Sequence, residues 1–436
     1  MPTDELDRLG TRILREVNRP GETVEVYLKR TWWRHVVRRD GSLVTDATGM
    51  ETGVGIRIFL EDGRWAHVHC SDPGEEAIRA AIDQAGDLAA AREVSPTKTL
   101  LPDTAHPVGE VGSHSLEDDG PEFLSAVEEE IRRADPRGGT LPLAICADGI
   151  TRIWLGNSRG LEGGFSRGQR HVILGIHFPG GPGISYYRRA AAAPAALVAA
   201  EVAREAVQRA GYPLRTPSSR SGRVPIVLPP GVASELVCRL HPQFIGPHPA
   251  WSKKDSIGSR ELHLVDDGTL PGAIGTAPFD GEGWESSRKV LVREGIVETV
   301  ISGSRQGNLP AGEARGSRVR ESYREPPAVA ATNFFVPAGE TDPGQLTREV
   351  GDGIQVLNWE WSGGVPLHAG RFQIGFSGCA IANGEIGGGI RRGFLSGDRN
   401  FLLRGITGRG NDLRFYPLDG SFGSPTLVIE GMEVGR

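Results

Sequence analysis

The alternation of apolar and polar residues predicts two strand-rich units in the first half of the chain. In the first unit, the extended runs "TVEVYLK", "WWRHVVRR", "GVGIRIF" and "RWAHVHC" are separated at Asp40-Gly41 and Asp62-Gly63, dipeptides that favour tight hairpin turns. A helix is predicted within "SDPGEEAIRAAIDQAG", with Asp72 as its N-cap and Glu75 completing a capping box. A second series of strands follows the helix "PEFLSAVEEEIRRA". The repeated order of elements predicts an internal structural duplication.

The stretch "RTPSSRSGR" is rich in serine and arginine and lacks apolar periodicity, which indicates a linker between two domains. A chain of 436 residues is also too long for one ordinary core. We therefore predict an N-terminal α/β domain over 1–215, a linker over 216–223 and a C-terminal β-rich domain over 224–436.

The second half of the chain is predicted to consist mainly of strands and turns. Helices are predicted near Ser234 to Leu240 and at "PGQLTREVGDG", where Asp342 precedes a proline. Hairpin turns are predicted at Glu294-Gly295 and Asn383-Gly384. The predicted fold class is α+β, a duplicated strand-and-helix domain followed by a closed or nearly closed antiparallel, barrel-like domain.

Composition narrows the classes of function. The net charge of -6 gives no electrostatic footprint for a polyanion, which argues against a nucleic-acid partner. The four cysteines lie far apart and predict neither a disulfide framework nor a paired metal-binding motif. The N-terminal segment is a charged amphipathic helix pattern without the apolar region of a signal peptide, and no apolar run is long enough for a bilayer. We expect a cytoplasmic protein without a membrane partner.

Several clusters of chemically active residues are open to two interpretations. Asp280, Glu282 and Glu285 lie close together in "TAPFDGEGWESSRK", where mutual repulsion could raise a carboxyl pKa for general-base catalysis or where the residues simply form turns. His67 and His69 point the same way on a predicted strand, as a metal site or as a solvated face. The sequence favours the structural interpretation of each cluster.

A zinc site built on histidine is also weakly supported. His241 and His248 are separated by prolines that prevent both from lying on one helical face, and His263 lies in an extended stretch. Three unrelated histidines are the favoured interpretation.

The second half of the chain resembles a known family. The segments "LVDDGTLPGAIGTAPFDGEG", "VLVREGIVETVISGSRQG" and "FSGCAIANGEIGGGIRRGFLSGD" occur in the order typical of the TldD/TldE (PmbA) family of peptidase subunits, historically labelled modulators of DNA gyrase. The N-terminal segments "TGVGIRIF" and "LGNSRG" fit the first domain of that family. The resemblance covers most of the chain.

The resemblance implies where a metal site would lie. TldD-type subunits carry zinc on a helix with the motif HExxxH and have a further cysteine ligand near the C-terminus, whereas TldE-type subunits lack the motif and pair with a TldD-type partner. The segment "VLPPGVASELVCRLHPQFIG" places Cys238, Arg239 and Gln243 at the motif positions, with His241 the single histidine nearby. The C-terminal region reads "DLRFYPLDGSFGSPTL" and contains no cysteine. An arginine cannot act as the general base, and its positive charge opposes a nearby dication.

The expected function is therefore that of a TldE-like, non-catalytic subunit of a heterodimeric zinc peptidase. The resemblance implies no cofactor in this chain, zinc in a partner subunit with the HExxxH motif, and a peptide substrate, in cytosolic proteolysis or in maturation of ribosomally made peptides. Residues expected to contact substrate or partner are His241, Asp280, Glu282 and Asn333. The alternatives are a self-sufficient hydrolase with a relocated site at His241, His248 and Glu282, and a regulatory protein of the gyrase-modulator type.

Overall fold

The computed structural model describes most of the chain. The described residues are 4–17, 21–94, 101–106, 109–111, 119–134, 138–179, 184–211, 218, 220–246, 248–302, 315–365 and 370–435. Their helices are α1 (Asp4–Val17), α2 (Glu75–Ala90), α3 (Gly120–Ala134), α4 (Ala199–Gly211), α5 (Pro230–Leu240), α6 (Pro343–Val350) and α7 (Arg399–Arg404). Short 3-10 turns lie at Pro194–Ala196 and His241–Gln243.

A seven-stranded sheet occupies the first half of the chain. Its strands are β1 (Glu22–Arg39), β2 (Ser42–Leu60), β3 (Trp65–Cys70), β4 (Gly109–Val111), β5 (Thr140–Asn157), β6 (Glu162–His177) and β7 (Ile184–Ala191). The spatial order is β3-β2-β1-β5-β6, and both β4 and β7 pair with β6. Each half of the sheet has the same order of elements, a helix, three antiparallel strands and a helix, and the halves join through the antiparallel pair β1–β5. This arrangement agrees with the predicted duplication.

Helices cover one face of this sheet because alternate strand residues are apolar. The even-numbered residues Val24, Val26 and Leu28 are fully buried, in a core shared with Ile13 of α1 and Ile82 of α2. A second core forms beneath α3 and α4. Successive strand residues point to opposite faces, so the odd-numbered residues of the same strands face away from the helices. That second face is where the C-terminal half of the chain packs.

The predicted N-terminal cap of α2 is wrong. The helix begins at Glu75, its N-cap is Gly74, and no side chain caps it. Asp72 Oδ1 instead accepts a hydrogen bond from the backbone N–H of Gly74, at 2.8 Å. An aspartate that bonds two residues ahead stabilises a turn in competition with the helix, and the helix therefore starts later than the capping-box pattern predicts.

The C-terminal half contains a barrel and a second sheet. The strands are β8 (Gly222–Leu228), β9 (Ile245–Gly246), β10 (Leu264–Asp267), β11 (Arg288–Arg293), β12 (Ile296–Val297), β13 (Ile301–Ser302), β14 (Arg318–Val319), β15 (Ala328–Val329), β16 (Asn333–Phe335), β17 (Gly353–Val365), β18 (Arg371–Ala382), β19 (Glu385–Asp398), β20 (Ile406–Arg409), β21 (Arg414–Pro417), β22 (Ser421–Ser424) and β23 (Leu427–Gly435). The order β19-β18-β17-β8-β23 closes through pairing of β19 with β23, which makes a five-stranded barrel.

The barrel confirms the predicted α+β class and corrects one detail of it. β8 and β17 are parallel, whereas the other neighbours in the barrel are antiparallel. The expectation of a wholly antiparallel barrel is therefore wrong at this pair. The second sheet, in the order β12-β11-β10-β16-β22-β21, packs with α5 on the same large apolar core as the barrel.

In the C-terminal half, the predicted helix cap and hairpin turns are confirmed, and one helix was not predicted. The Asp342 side chain accepts a hydrogen bond from Gln345 N–H and caps α6, as predicted. The turns at Glu294-Gly295 and Asn383-Gly384 have positive φ at both residues, as tight hairpins require. Helix α7 was not predicted, although Asp398 caps it by accepting from Asn400 N–H.

The predicted linker over 216–223 falls partly outside the described residues, at 216, 217 and 219. The predicted domain boundaries stay a prediction. Each helix in the described part of the chain is too short or too polar to span a bilayer.

Tyr323 joins the two halves by packing against β2. Its ring lies over Gly53, where an added Cβ would come within 2.2 Å of Tyr323 Cζ. The hydroxyl donates to Glu51 Oε1 at 2.9 Å. Glycine is therefore required at this strand position by the close approach of the ring.

We predict that Gly53→Ala displaces this ring and lowers the free energy of unfolding by about 1–3 kcal/mol, as overpacking does. Urea unfolding of the single variants and of Gly53→Ala with Tyr323→Ala provides a double-mutant cycle. In the Tyr323→Ala background, Gly53→Ala should lower the free energy of unfolding by less than about 0.5 kcal/mol. An equal cost in both backgrounds would contradict the packing argument.

Candidate functional site

A cavity of about 780 Å³ lies between the helix-free face of the N-terminal sheet and loops of the C-terminal half. Its floor comes from odd-numbered residues on three neighbouring strands, β1, β5 and β6. The floor residues are Tyr27, Lys29, Thr31, Trp33, His35, Ala147, Gly149, Thr151, Ile153, Phe165, Arg167, Gln169 and His171. The register aligns Thr31, Thr151 and Arg167 in one row across the sheet. Because successive side chains of a strand point to opposite faces of the sheet, these odd-numbered side chains lie on one surface.

The roof of this cleft is built from loops of the second sheet and from β14, which pairs with β15 outside that sheet. It includes the segments 274–281, 318–320 and 417–421. One end is closed by an apolar cluster in which Phe279 packs edge-on against Phe165, with ring centroids 5.2 Å apart. The cleft therefore has a closed apolar end and polar side chains along its floor.

A buried ion network connects the floor strands to the roof loops. Arg57 of β2 binds Glu25 of β1 through two hydrogen bonds of 2.8 and 2.6 Å, and its Nη1 donates to Glu282 Oε1 at 3.1 Å. Arg318 also pairs with Glu282, at 3.1 Å, and Arg320 donates to Glu25. All five side chains are at least 94% buried, the exposed fraction of Arg318 being 6%. The network holds three cations and two carboxylates.

The network keeps the Glu25 carboxylate charged. Burial alone would raise the pKa of Glu25, but Arg320 and Arg57 outweigh it and hold that pKa below its usual value. The pKa of Arg57 is raised because Glu25 and Glu282 together overcome its burial. Buried ions are stable only when they are paired and hydrogen-bonded in this manner.

Asp280 lines the cleft but its oxygens are engaged by the backbone. Oδ1 accepts from the N–H groups of Glu282 and Trp284, at 2.9 and 3.0 Å, and Oδ2 accepts from Gly316 and Arg318 at 2.8 and 3.3 Å. Burial and the neighbouring Glu282 raise the pKa of Asp280 to about 7, while these four donors favour the ionised form. The geometry is that of a carboxylate that organises a loop.

The other expected contact residues lie beside the cleft. Glu282 belongs to the buried ion network. Asn333 is fully buried, donates to Asp267 O and Thr276 Oγ1, and accepts from Gly275 N–H and Ser421 Oγ. The described polar contacts of Glu282 and Asn333 are within the protein. A role in substrate or partner contact stays a prediction for Asp280, Glu282 and Asn333, as it does for His241.

Helix α5 and the 3-10 turn that follows it carry the positions that the sequence resemblance assigns to the metal motif. Cys238 Sγ donates to Leu418 O, and burial raises the pKa of Cys238 to about 11, which keeps the sulfur a thiol rather than a metal-binding thiolate. His241 Nδ1 donates to Cys238 O at 2.6 Å, and its ring centroid lies 4.9 Å from that of Phe422. Gln243 Oε1 accepts from Arg399. The side chains at these positions are occupied by contacts within the fold.

The donor set does not fit zinc. Within the described ranges, no three His, Cys, Asp or Glu side chains are grouped to hold a metal ion, and this applies to the trio His241, His248 and Glu282. Arg239 adds a fixed positive charge to α5, and Arg399 lies against Gln243. Structural and catalytic zinc sites need at least three protein ligands.

The histidines of β3 do not form a metal site either. The rings of His67 and His69 are 6.5 Å apart, and Tyr323 packs edge-on against His69. Burial, with Arg320 and Arg57 nearby, lowers the pKa of His67 to about 3. The positive charges that keep this imidazole neutral would also oppose a cation.

Comparison with known proteins identifies the family. The PmbA/TldA metallopeptidase C-terminal domain matches residues 221–436, and domain 1 of the same metallopeptidases matches residues 24–89. The chain belongs to the TldD/TldE (PmbA) metallopeptidase family. This confirms the resemblance found in the sequence.

Curated TldD/TldE-family relatives are distant. A TldD homologue from Haemophilus influenzae, described as a metalloprotease, is 27% identical over 258 residues, 53% of this chain and 52% of the relative. The TldD homologue from Buchnera aphidicola of Acyrthosiphon pisum is 25% identical over 191 residues, 41% of this chain and 39% of the relative. The chain thus spans about half or less of the length of these curated relatives.

Solved structures agree with the TldD/TldE fold over the whole chain. TldE from Thermococcus kodakarensis superposes with a TM-score of 0.80 at 16% identity, covering 99% of both chains. A candidate modulator of a DNA gyrase from Thermotoga maritima superposes with a TM-score of 0.79 at 17% identity, covering 98% of this chain and 99% of that one. At these identities the likeness shows the fold.

Sequence reasoning missed the ion network and the floor of the cleft. Glu25 and Arg57 are charged residues within otherwise apolar strands, "TVEVYL" and "GVGIRIF", and this interruption was the available signal. It indicates a charged group on the second face of each strand, but the pairing partners in loops more than two hundred residues away are not visible in the pattern.

We predict that Arg57→Met lowers the free energy of unfolding by about 3–5 kcal/mol, because it leaves buried carboxylates without their shared cation. The control is Arg133→Met on α3, where the exposed pair with Glu129 is worth under about 1 kcal/mol. Urea unfolding measures both changes. A loss below about 1 kcal/mol for Arg57→Met would show that the network adds little to stability.

Proposed function

We propose that this chain is the metal-free subunit of a heterodimeric TldD/TldE-type zinc peptidase that acts on unfolded or small peptides. One observation carries the proposal: the donor set of α5 and of the 3-10 turn that follows it. The segment that holds zinc in TldD-type subunits here presents a thiol, an arginine and an amide, and its histidine packs between two phenylalanines. These groups support a scaffold role for α5.

The zinc would come from a partner subunit with the HExxxH motif. Zinc activates water by lowering its pKa when three protein ligands hold it and one position stays open. This chain would contribute the cleft between the N-terminal sheet and the roof loops. The residues of this chain would bind and orient the peptide rather than move a proton at the scissile bond.

The dimensions of the cleft support a peptide ligand. A volume of about 780 Å³ lies within the range of ligand pockets, and the lining combines apolar side chains such as Ile153, Phe165 and Ile274 with polar ones. An extended peptide likewise presents both side chains and backbone polar groups. A folded domain would not enter such a space, which agrees with unfolded or small peptides as substrates.

The experiment is co-expression of this chain with an HExxxH subunit encoded in the same genome. A fluorogenic oligopeptide is cleaved by the copurified pair, while either chain alone has at most about 1% of that rate, because catalysis needs the partner's zinc and the assembled cleft. His241→Gln in this chain should leave the rate of the pair within about twofold.

Exchange of the motif glutamate for glutamine in the partner serves as the matched catalytic control and should abolish cleavage. Cleavage by this chain alone that is lost on His241→Gln would contradict the proposal and favour a self-sufficient hydrolase. Failure of the two chains to copurify would contradict it as well.

A further inference from the structure

Two cations lie on the floor of the cleft, although the protein as a whole is acidic. Lys29 of β1 and Arg167 of β6 both line the cavity, on the same face of the sheet. The chain as a whole has a net charge of -6. A local concentration of positive charge in a concave site raises the local concentration of anions.

Arg167 is without a charged partner among the residues that the structure describes. It is half-buried, pairs through its backbone with Thr151 and Val111, and has no side-chain hydrogen bond or ion pair to any of those residues. Burial lowers the pKa of Arg167, against the opposing influence of Tyr27. A guanidinium taken partly out of water without a counter-ion is unfavourable, so the site is improved by an anion.

The carboxylates near Arg167 are already engaged. Asp148 binds Arg170 through both oxygens, at 2.7 and 2.8 Å. Asp280 accepts four backbone N–H groups, and Glu25 and Glu282 belong to the ion network. The described acidic side chains of the cleft therefore have little capacity to neutralise Arg167.

Other groups on the floor complement a small planar anion. Lys29 Nζ donates to the backbone carbonyl of Glu321 and has further donor capacity, since an ammonium has three N–H groups. Burial and the neighbouring Arg167 lower the pKa of Lys29, against the opposing influence of Glu51 and Glu321. Thr151 lies opposite Arg167 in the register, and its Oγ1 is 3.2 Å from Thr31 Oγ1. This surface offers two cations and two hydroxyls.

We propose that Arg167, assisted by Lys29, forms a carboxylate-binding subsite in the cleft. The guanidinium presents a planar fork of donors that matches a carboxylate and binds it through two hydrogen bonds. The carboxylate is the C-terminal group or an acidic side chain of a peptide lying along the floor. The choice of a peptide rests on the proposed function, whereas the subsite itself rests on the charges described above.

The test measures peptide binding to the full chain without its partner, by fluorescence anisotropy. The probes are an oligoalanine with a free C-terminus, its C-terminal amide, and two further amides that carry one internal glutamate or one internal glutamine, each labelled at its N-terminus with an uncharged BODIPY dye. The variants are Arg167→Gln, Arg167→Lys and the matched control Arg79→Gln, an exposed arginine on α2 that pairs with Glu75. Circular dichroism confirms that each variant folds.

The wild-type chain should bind a carboxylate-bearing probe about tenfold or more tightly than its uncharged counterpart, as charge-assisted hydrogen bonds imply. Arg167→Gln should remove this preference, Arg167→Lys should retain part of it, and Arg79→Gln should leave it unchanged. A preference limited to the free C-terminus or to internal glutamate identifies the source of the carboxylate. The preference should also weaken as ionic strength rises.

The subsite is overturned if the wild-type chain shows no preference for the charged probes, or if folded Arg167→Gln keeps the preference. These outcomes are separate from the test of the proposed function. An active pair whose peptide binding ignores Arg167 overturns the subsite alone. An Arg167-dependent preference in a chain that never forms an active pair supports the subsite and overturns the proposed function.

Discussion

Five charged side chains buried between the N-terminal sheet and the C-terminal loops set the position of the candidate site. Arg57 bridges Glu25 and Glu282, and Arg318 and Arg320 complete the cluster. Each carboxylate is held by two arginines, and neither half of the protein could bury its own charges alone at acceptable cost. Separation of the sheet from the loops would leave those charges unpaired. The network therefore constrains the distance between floor and roof.

The cleft follows from this constraint and from strand geometry. Even-numbered residues of β1, β5 and β6 pack beneath the helices, and odd-numbered residues of the same strands are left to form the floor. The network and the apolar cluster around Phe279 occupy one end of that surface. The remaining length stays open beneath the roof loops. A single sheet thus forms a core on one side and the candidate binding surface on the other.

Sequence patterns predicted the elements and the family better than the site. Hairpin dipeptides located the turns at Asp40-Gly41 and Asn383-Gly384, where both residues adopt positive φ. The duplication was visible because each unit repeats the same order of helices and strands. Arg167 was not singled out, because its significance depends on which face of β6 it lies on and on its having no charged partner in the described part of the chain. Both properties come from packing between segments distant in the chain.

On the proposed function, helix α5 is a family scaffold that persists with different chemistry. Its apolar residues Val232, Leu236 and Leu240 are buried in the large C-terminal core, which is sufficient reason to retain the helix. The chemistry assigned to it can be tested by measuring zinc, by inductively coupled plasma mass spectrometry, in this chain purified alone and in the copurified pair. We predict stoichiometric zinc in the pair and none retained by this chain alone after dialysis. One tightly held zinc per molecule of the chain alone would contradict the account.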